Sequence, residues 1–366
     1  MPRLLDPVRL GDVDCRNRIA MAPCTRCMSP GAMPGDDVAA YYERRAADGV
    51  GLLISEGTVI CARGNGYPDV PGIYNEQQIQ AWKGVTDRVH AAGGRIACQI
   101  WHVGAVAHPV TTGGALPESP SGISPTGDIR RLRKPDGSYE QYGQSEAVGE
   151  QRILELIDLY RQAARNAVDA GFDMVEIHGA HGYLIDAFIN LNTNQRDDDW
   201  GGQQRTRFAR EVARAVVDEI GAGRTLMRIS PVMNVGGEGW QRPQETLPQL
   251  LTELAQSGLR ILHISNLDYD EAIIPGPLAG PGNGAGAASD AARKVPLHEA
   301  ARALWQGQLI GVGSLSPERA DRAISEGEVD VAAFGRALIA NPDLVSRIRA
   351  GKALAAYDPA LLEQLI

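Results

Sequence analysis

The sequence predicts a (β/α)8 TIM barrel, an α/β fold whose parallel sheet closes on itself. Three observations carry this expectation. Eight short apolar or β-branched runs alternate with eight amphipathic helical patterns along the 366 residues. Several helical patterns stop at a glycine, as in Ala170-Gly171 and Ser257-Gly258. Hydrophobic runs also pass directly into proton-handling side chains, as expected at the C-terminal strand ends of a barrel. Alternation implies a parallel sheet, and eight units close into a barrel more readily than they form an open sheet. A doubly wound sheet with appended pieces is the alternative.

The expected strands are 18–22, 51–55, 95–100, 173–177, 225–229, 260–264, 308–312 and 329–334. The expected helices are 37–47, 76–92, 150–170, 205–220, 246–256, 298–304, 316–326 and 341–350. All are expected to lie in one domain spanning 1–366. The longest excursion follows strand three, from 104 to about 150. Within it, 129–142 reads as a β-hairpin turning at Asp136-Gly137. Its place on the strand-end side makes it an expected lid over a pocket. A second long stretch, 268–294, is rich in Gly and Pro. Its Gly280-to-Gly286 run imitates a nucleotide loop, but no strand abuts it and no helix follows. A flexible loop is the expectation.

Composition narrows the function classes. An apolar content of 43% with 22% charged residues is ordinary for a soluble globular protein. A net charge of −9 argues against a nucleic-acid partner, which calls for a basic stripe. No apolar run approaches the ~20 residues of a membrane span. The first residues, Met1-Pro2-Arg3-Leu4-Leu5-Asp6, do not read as a signal peptide. Cys15, Cys24, Cys27, Cys61 and Cys98 are odd in number and scattered, and no second pair completes a zinc site with Cys24-x-x-Cys27. Free thiols in a reducing cytoplasm are expected.

Chemistry is densest in Val175-Glu176-Ile177-His178-Gly179-Ala180-His181-Gly182-Tyr183-Leu184. His178 and His181 each offer an N–H to an electron-rich oxygen, and Tyr183 carries a weakly acidic O–H. Gly179 and Gly182 allow a tight turn between them. An H-x-x-H pair also suits a metal, or a purely structural role, and the residues alone leave these readings open. The other strand ends add two features. Gly313 after strand seven and Gly335-Arg336 after strand eight stand where barrels commonly hold phosphate. Gln99 and Arg228, on non-adjacent strands, could meet over the barrel axis. An amide beside a fixed cation suits the polar edge of a flat heterocycle. Phosphate at a rim and a polar-edged ring at the centre describe flavin mononucleotide.

These residues resemble the old yellow enzyme family of FMN-dependent ene-reductases over nearly the whole chain. The resemblance rests on the segments 17–26, Gln99-Ile100-Trp101-His102, 178–184, 196–202 and 333–343. It implies non-covalent FMN and a transient visit by NADPH or NADH. It also implies Pro23 and Cys24 as backbone contacts of the flavin, and Thr25 as donor to its O4. Gly57 would add a backbone contact, Gln99 and Arg228 would meet the pyrimidine edge, and Gly313, Gly335 and Arg336 would hold the phosphate. His178 and His181 would bind the substrate's activating oxygen, Tyr183 would donate the proton, and Trp101 and Tyr67 would line the pocket. The implied reaction is hydride transfer from flavin N5 to electron-poor alkenes: enones, enals, maleimides or nitroalkenes. A monomer or homodimer acting on small molecules is implied. One branch of the family has cysteine where this chain has Thr25; here the thiol is one residue earlier, at Cys24, which reads as structural. The alternatives are a barrel flavoprotein working on another bond, a metal-dependent hydrolase or lyase ligated by His178 and His181, or a non-catalytic binding barrel.

Overall fold

The computed structural model describes residues 3–235, 237–275 and 294–366. Eight parallel strands form a closed barrel: β1 (Ile19–Met21), β2 (Leu52–Ile54), β3 (Ile96–Trp101), β4 (Met174–His181), β5 (Thr225–Asn234), β6 (Ile261–Ser265), β7 (Gln308–Val312) and β8 (Val331–Phe334). Each pairs in parallel with the next, and β8 returns to β1, with Ala333 opposite Ala20, to close the ring. The helices α1 (Asp36–Asp48), α2 (Glu76–Ala91), α3 (Glu150–Asp169), α4 (Arg207–Ile220), α5 (Pro243–Gln256), α6 (Leu297–Leu304) and α7 (Pro317–Ser325) connect successive strands.

Local chemistry sets the helix ends. Asn75 caps α2 by accepting the Gln78 N–H at 2.9 Å, and Ser316 caps α7 by accepting from Arg319 at 3.2 Å. Gly49 ends α1 with a φ of 97°, a conformation that favours glycine. The expected helix at 341–350 starts later, as Leu344–Arg349, and an unexpected short helix, Arg336–Ala340, precedes it. Pro342 explains the break, because proline pushes the residue before it, Asn341, out of the helical region.

Side chains alternate along each strand, and the alternation divides the core. One row, including Ile19, Leu53, Val175, Met227 and Leu262, packs outward against the helices. The other fills the barrel with Ala20, Leu52, Ile54, Ala97, Met174, Leu226, Ile261, Ile310 and Val331. An N-terminal hairpin, Val8–Leu10 with Val13–Cys15, closes the floor by adding Leu10, Val13 and Cys15 to that interior. Each fully buried aliphatic side chain stabilises by about 1.5–3 kcal/mol. Further along the strands the inward row changes character, to Gln99, Glu176, Arg228 and His263. The apolar floor thus carries a polar layer at the strand ends.

The excursion after β3 contains an antiparallel hairpin, Asp128–Arg133 with Tyr139–Gln141. It turns where expected: Lys134 donates to the Ser138 carbonyl at 2.8 Å, and Gly137 takes a φ of 87°. The Gly280-to-Gly286 run lies outside the described residues. No described helix is long and apolar enough to cross a membrane.

Candidate active site

The two histidines lie on β4 itself, which runs to His181 rather than ending at 177. The expected turn between Gly179 and Gly182 is correspondingly later. Gly179 is a strand residue packed so closely that a Cβ there would sit 2.7 Å from Met227 Cε. The chain turns at His181 and Gly182, with φ of 65° and 80°. Tyr183 then opens the short helix Leu184–Ile189, fixed by the Leu184 N–H donating to the His102 carbonyl at 3.2 Å.

Hydrogen bonds define which ring nitrogen of each histidine remains available. His178 Nδ1 accepts from the Ala180 backbone N–H at 3.3 Å, so its proton sits on Nε2. His181 Nε2 lies 3.2 Å from Ser265 Oγ, which itself accepts from Arg228 Nη2 at 2.9 Å. A guanidinium only donates, so Ser265 keeps its own proton available for His181 Nε2, and the tautomer that accepts it carries its N–H on Nδ1. Both rings are held well below the usual histidine range, first by burial and then by the Arg228 charge. The pair is therefore neutral near pH 7 and presents two N–H donors. Their rings stand edge to face, with centroids 5.2 Å apart.

Trp101 is the wall against which His178 and both tyrosines pack, and Tyr183 also meets His178 directly at 5.0 Å. It stacks on His178 at 6.0 Å and on Tyr67 at 5.9 Å, and meets Tyr183 edge-on at 4.8 Å. The hydroxyls of Tyr67 and Tyr183 lie 3.4 Å apart. Burial, with Tyr67 beside it, pushes Tyr183 well above the usual phenol range, so it remains a neutral O–H donor.

Gln99 and Arg228 do not meet over the axis as expected. Gln99 Nε2 donates to Glu176 Oε1 at 2.7 Å, while Arg228 turns to Ser265. Glu176 fills the space between, also accepting from His263 Nδ1 at 2.6 Å. The layer leaves two buried donors without acceptors at the strand ends, Arg228 Nε and Trp101 Nε1. Such orphans are costly unless a bound group satisfies them.

After β1, Pro23, Cys24 and Thr25 form a half-buried loop, and among the described residues the Thr25 hydroxyl makes no hydrogen bond. Cys24 is a neutral thiol, pushed up by burial; a Cβ on Gly335 would lie 3.5 Å from its sulfur. Gly57 has no room for a side chain because Trp101 covers it, and a Cβ on Gly313 would sit 2.6 Å from the Tyr269 backbone nitrogen. Gly335 precedes Arg336, whose side chain is exposed. Among the described residues, no group of three or more His, Cys, Asp or Glu side chains is placed to hold a metal ion.

The sequence reading missed Glu176, His263, Ser265 and Glu56. Glu176 shares the parity of His178, two residues along β4, and His263 and Ser265 share that of the interior residue Ile261, two and four residues along β6; that parity was the available signal. Glu56 organises the loop after β1: its Oε2 accepts the backbone N–H of Arg26 and of Cys27 at 2.9 and 3.3 Å.

Residues 3–355 match the model of the NADH:flavin oxidoreductase / NADH oxidase family. The chain is 40% identical to 12-oxophytodienoate reductase 7 of Oryza sativa subsp. japonica, over 97% of this chain and 89% of that protein. It is 35% identical to 12-oxophytodienoate reductase 2 of Arabidopsis thaliana, over 97% and 90% of the respective chains. Among solved structures, the old yellow enzyme homologue of Zymomonas mobilis superposes with a TM-score of 0.86 at 32% identity, covering 99% of this chain and 96% of that one. Morphinone reductase in complex with tetrahydroNAD gives 0.85 at 36% identity, covering 99% and 94%.

Proposed function

The chain belongs to the NADH:flavin oxidoreductase / NADH oxidase family, the old yellow enzymes, and on that premise we propose that it reduces electron-poor C=C bonds using NADH or NADPH. The substrate class is enones, enals, maleimides or nitroalkenes. The observation that carries the reading is the pairing of two neutral imidazole N–H donors with a neutral tyrosine hydroxyl around one aromatic wall. Relatives named as reductases of 12-oxophytodienoate and morphinone support it.

The residues fit FMN. Arg228 Nε, buried and without an acceptor, suits the pyrimidine edge, and the side-chain carbonyl of Gln99, whose amide is held by Glu176, would meet that edge from the other side of Glu176. Pro23, Cys24 and Thr25 offer backbone and hydroxyl contacts along the same edge, and Gly57 offers backbone. Gly313, Gly335 and the exposed Arg336 would take the phosphate. When bound, FMN supplies the hydride that reaches the substrate β-carbon.

The chain's own residues do the rest. His178 Nε2–H and His181 Nδ1–H grip the activating oxygen and stabilise the negative charge that builds there. Such fixed dipoles are worth most where water is excluded. Tyr183 delivers its proton to the α-carbon, a task for a group that stays protonated until the carbanion pulls. Trp101 and Tyr67 hold Tyr183 in place, and the 128–141 hairpin closes the pocket as a lid.

An anaerobic visible spectrum of the purified protein tests this directly. A yellow protein should bleach with NADPH and recover its colour with 2-cyclohexenone. Bleaching without recovery by any activated alkene would move the reading to another acceptor. A colourless protein that retains metal and cannot be reconstituted with FMN would overturn it.

A further inference from the structure

We propose that Arg131, on the inner face of the lid hairpin, is a specificity residue that recognises an anionic group, foremost a carboxylate, on the alkene substrate. This rests on the reading of the site as an ene-reductase pocket.

The hairpin is built into the pocket wall. Ile129 is fully buried in one apolar cluster with Tyr67, Trp101 and Tyr183, and Leu132, Tyr142 and Cys27 pack against it. Three outward charges, Arg133, Lys134 and Asp136, are used within the hairpin. Arg133 stacks over the Tyr139 ring at 4.6 Å and donates to the Tyr139 hydroxyl at 2.9 Å, and Lys134 pairs with Glu140 at 3.7 Å. Asp136 accepts from Ser138 at 2.6 Å.

Arg131 behaves differently. Its Nη1 crosses to the loop after β1 and donates to Cys27 Sγ at 3.2 Å. That thiol is kept protonated by burial, so it does not neutralise the guanidinium. Among the described residues, no carboxylate forms an ion pair with Arg131. Cys27 packs against the cluster that holds Tyr67, Trp101 and Tyr183, so the hydrogen bond to its sulfur places the Arg131 guanidinium beside that cluster. Glu56, the carboxyl of this loop region, is buried and turned to the backbone of Arg26 and Cys27.

A cation beside this aromatic cluster whose hydrogen bond goes to a neutral sulfur is an unmet half of a charge pair. Guanidinium geometry matches a carboxylate through two parallel hydrogen bonds. The two histidines already fix the activating oxygen, so Arg131 supplies a second anchor at the hairpin side. A substrate with a carboxylate remote from its activating oxygen would be held at both ends, and its neutral ester would lose only the second anchor.

The test compares 4-oxo-2-cyclohexene-1-carboxylate with its methyl ester as substrates of the holoenzyme, for wild type, Arg131→Gln and Arg131→Lys. Wild type should favour the acid, and Arg131→Gln should raise the KM for the acid by about tenfold or more, the equivalent of losing one charge-assisted contact. The ester should keep its KM and kcat in every variant, which also shows that the variants fold. Arg131→Lys should recover part of the preference. An acid-to-ester ratio unchanged by Arg131→Gln overturns the proposal, as does a variant whose only change is a higher KM for NADPH. Failure of wild type to reduce either compound would instead count against the ene-reductase reading.

Discussion

The Glu56 carboxylate holds the backbone N–H of Arg26 at 2.9 Å although Glu56 itself is fully buried. Its second oxygen, Oε1, is buried without a partner. One side chain therefore fixes the loop that carries Pro23, Cys24 and Thr25, at the cost of desolvating an acid. Burial raises its pKa from 4.5 to about 7.

That shift sets a pH dependence. The folded state binds the Glu56 proton more tightly than the unfolded chain, so the contribution favours folding fully below about 4.5 and is lost as pH rises through about 7. Chemical denaturation between pH 4.5 and 7 should show wild type losing stability, relative to Glu56→Gln, as pH rises. A wild-type-minus-variant difference that is flat across the window would refute the assignment. Glu56→Leu, which strands two loop N–H groups, should cost about 1–3 kcal/mol and weaken FMN retention.

The packing of Trp101 against Gly57 makes a second prediction. A methyl group at position 57 would collide with Trp101 Cε3, and the indole is locked between His178 and Tyr67. Gly57→Ala should destabilise the fold by about 1–3 kcal/mol, as overpacking does, and raise KM by displacing the pocket wall. Thermal unfolding and steady-state kinetics check the two halves separately.

Much of this site was legible in the sequence, and the illegible part has a physical cause. His178, His181, Tyr183, Trp101, Gln99 and Arg228 stand at strand ends because an apolar strand that stops at polar side chains marks the open face of a barrel. The barrel count and the hairpin turn at Asp136-Gly137 followed from periodicity and turn chemistry. Glu176 and His263 were hidden inside apolar strands, where alternation marks them as inward-facing, but only the register sets Gln99 opposite Glu176 and only barrel closure brings His263 to it. The extension of β4 to His181 was masked by Gly179, which reads as a turn residue and is in fact a close-packed strand residue. Asn341 looked helical because the pattern around it is periodic, and Pro342 overrode the pattern.

The neutral state of the histidine pair yields a third prediction. Because burial and Arg228 keep both rings below the usual range, neither should titrate between pH 6 and 8. Binding of a phenolic ligand, followed by perturbation of the flavin spectrum, should show no histidine ionisation in that interval. His178→Ala should weaken that binding about tenfold or more and lower kcat by about 10²–10³, the loss typical of one oxyanion donor. Unchanged phenol affinity would remove His178 from the oxygen-gripping role.

Tyr183→Phe separates proton delivery from everything else in the pocket. The ring would remain edge-on to Trp101, so binding and the shape of the wall should persist, while the hydroxyl beside Tyr67 is lost. Reduction of the flavin by NADPH needs no proton from this residue and should continue at nearly the wild-type rate. Reoxidation by 2-cyclohexenone should slow by about a hundredfold or more, the low end of what a positioned general acid contributes. Since burial holds the Tyr183 proton well above the usual phenol range, the wild-type oxidative half-reaction should show no loss from its ionisation up to about pH 10. Stopped-flow measurement of the two half-reactions reads both expectations. Equal slowing of the two would mean that Tyr183 shapes the pocket rather than donating the proton.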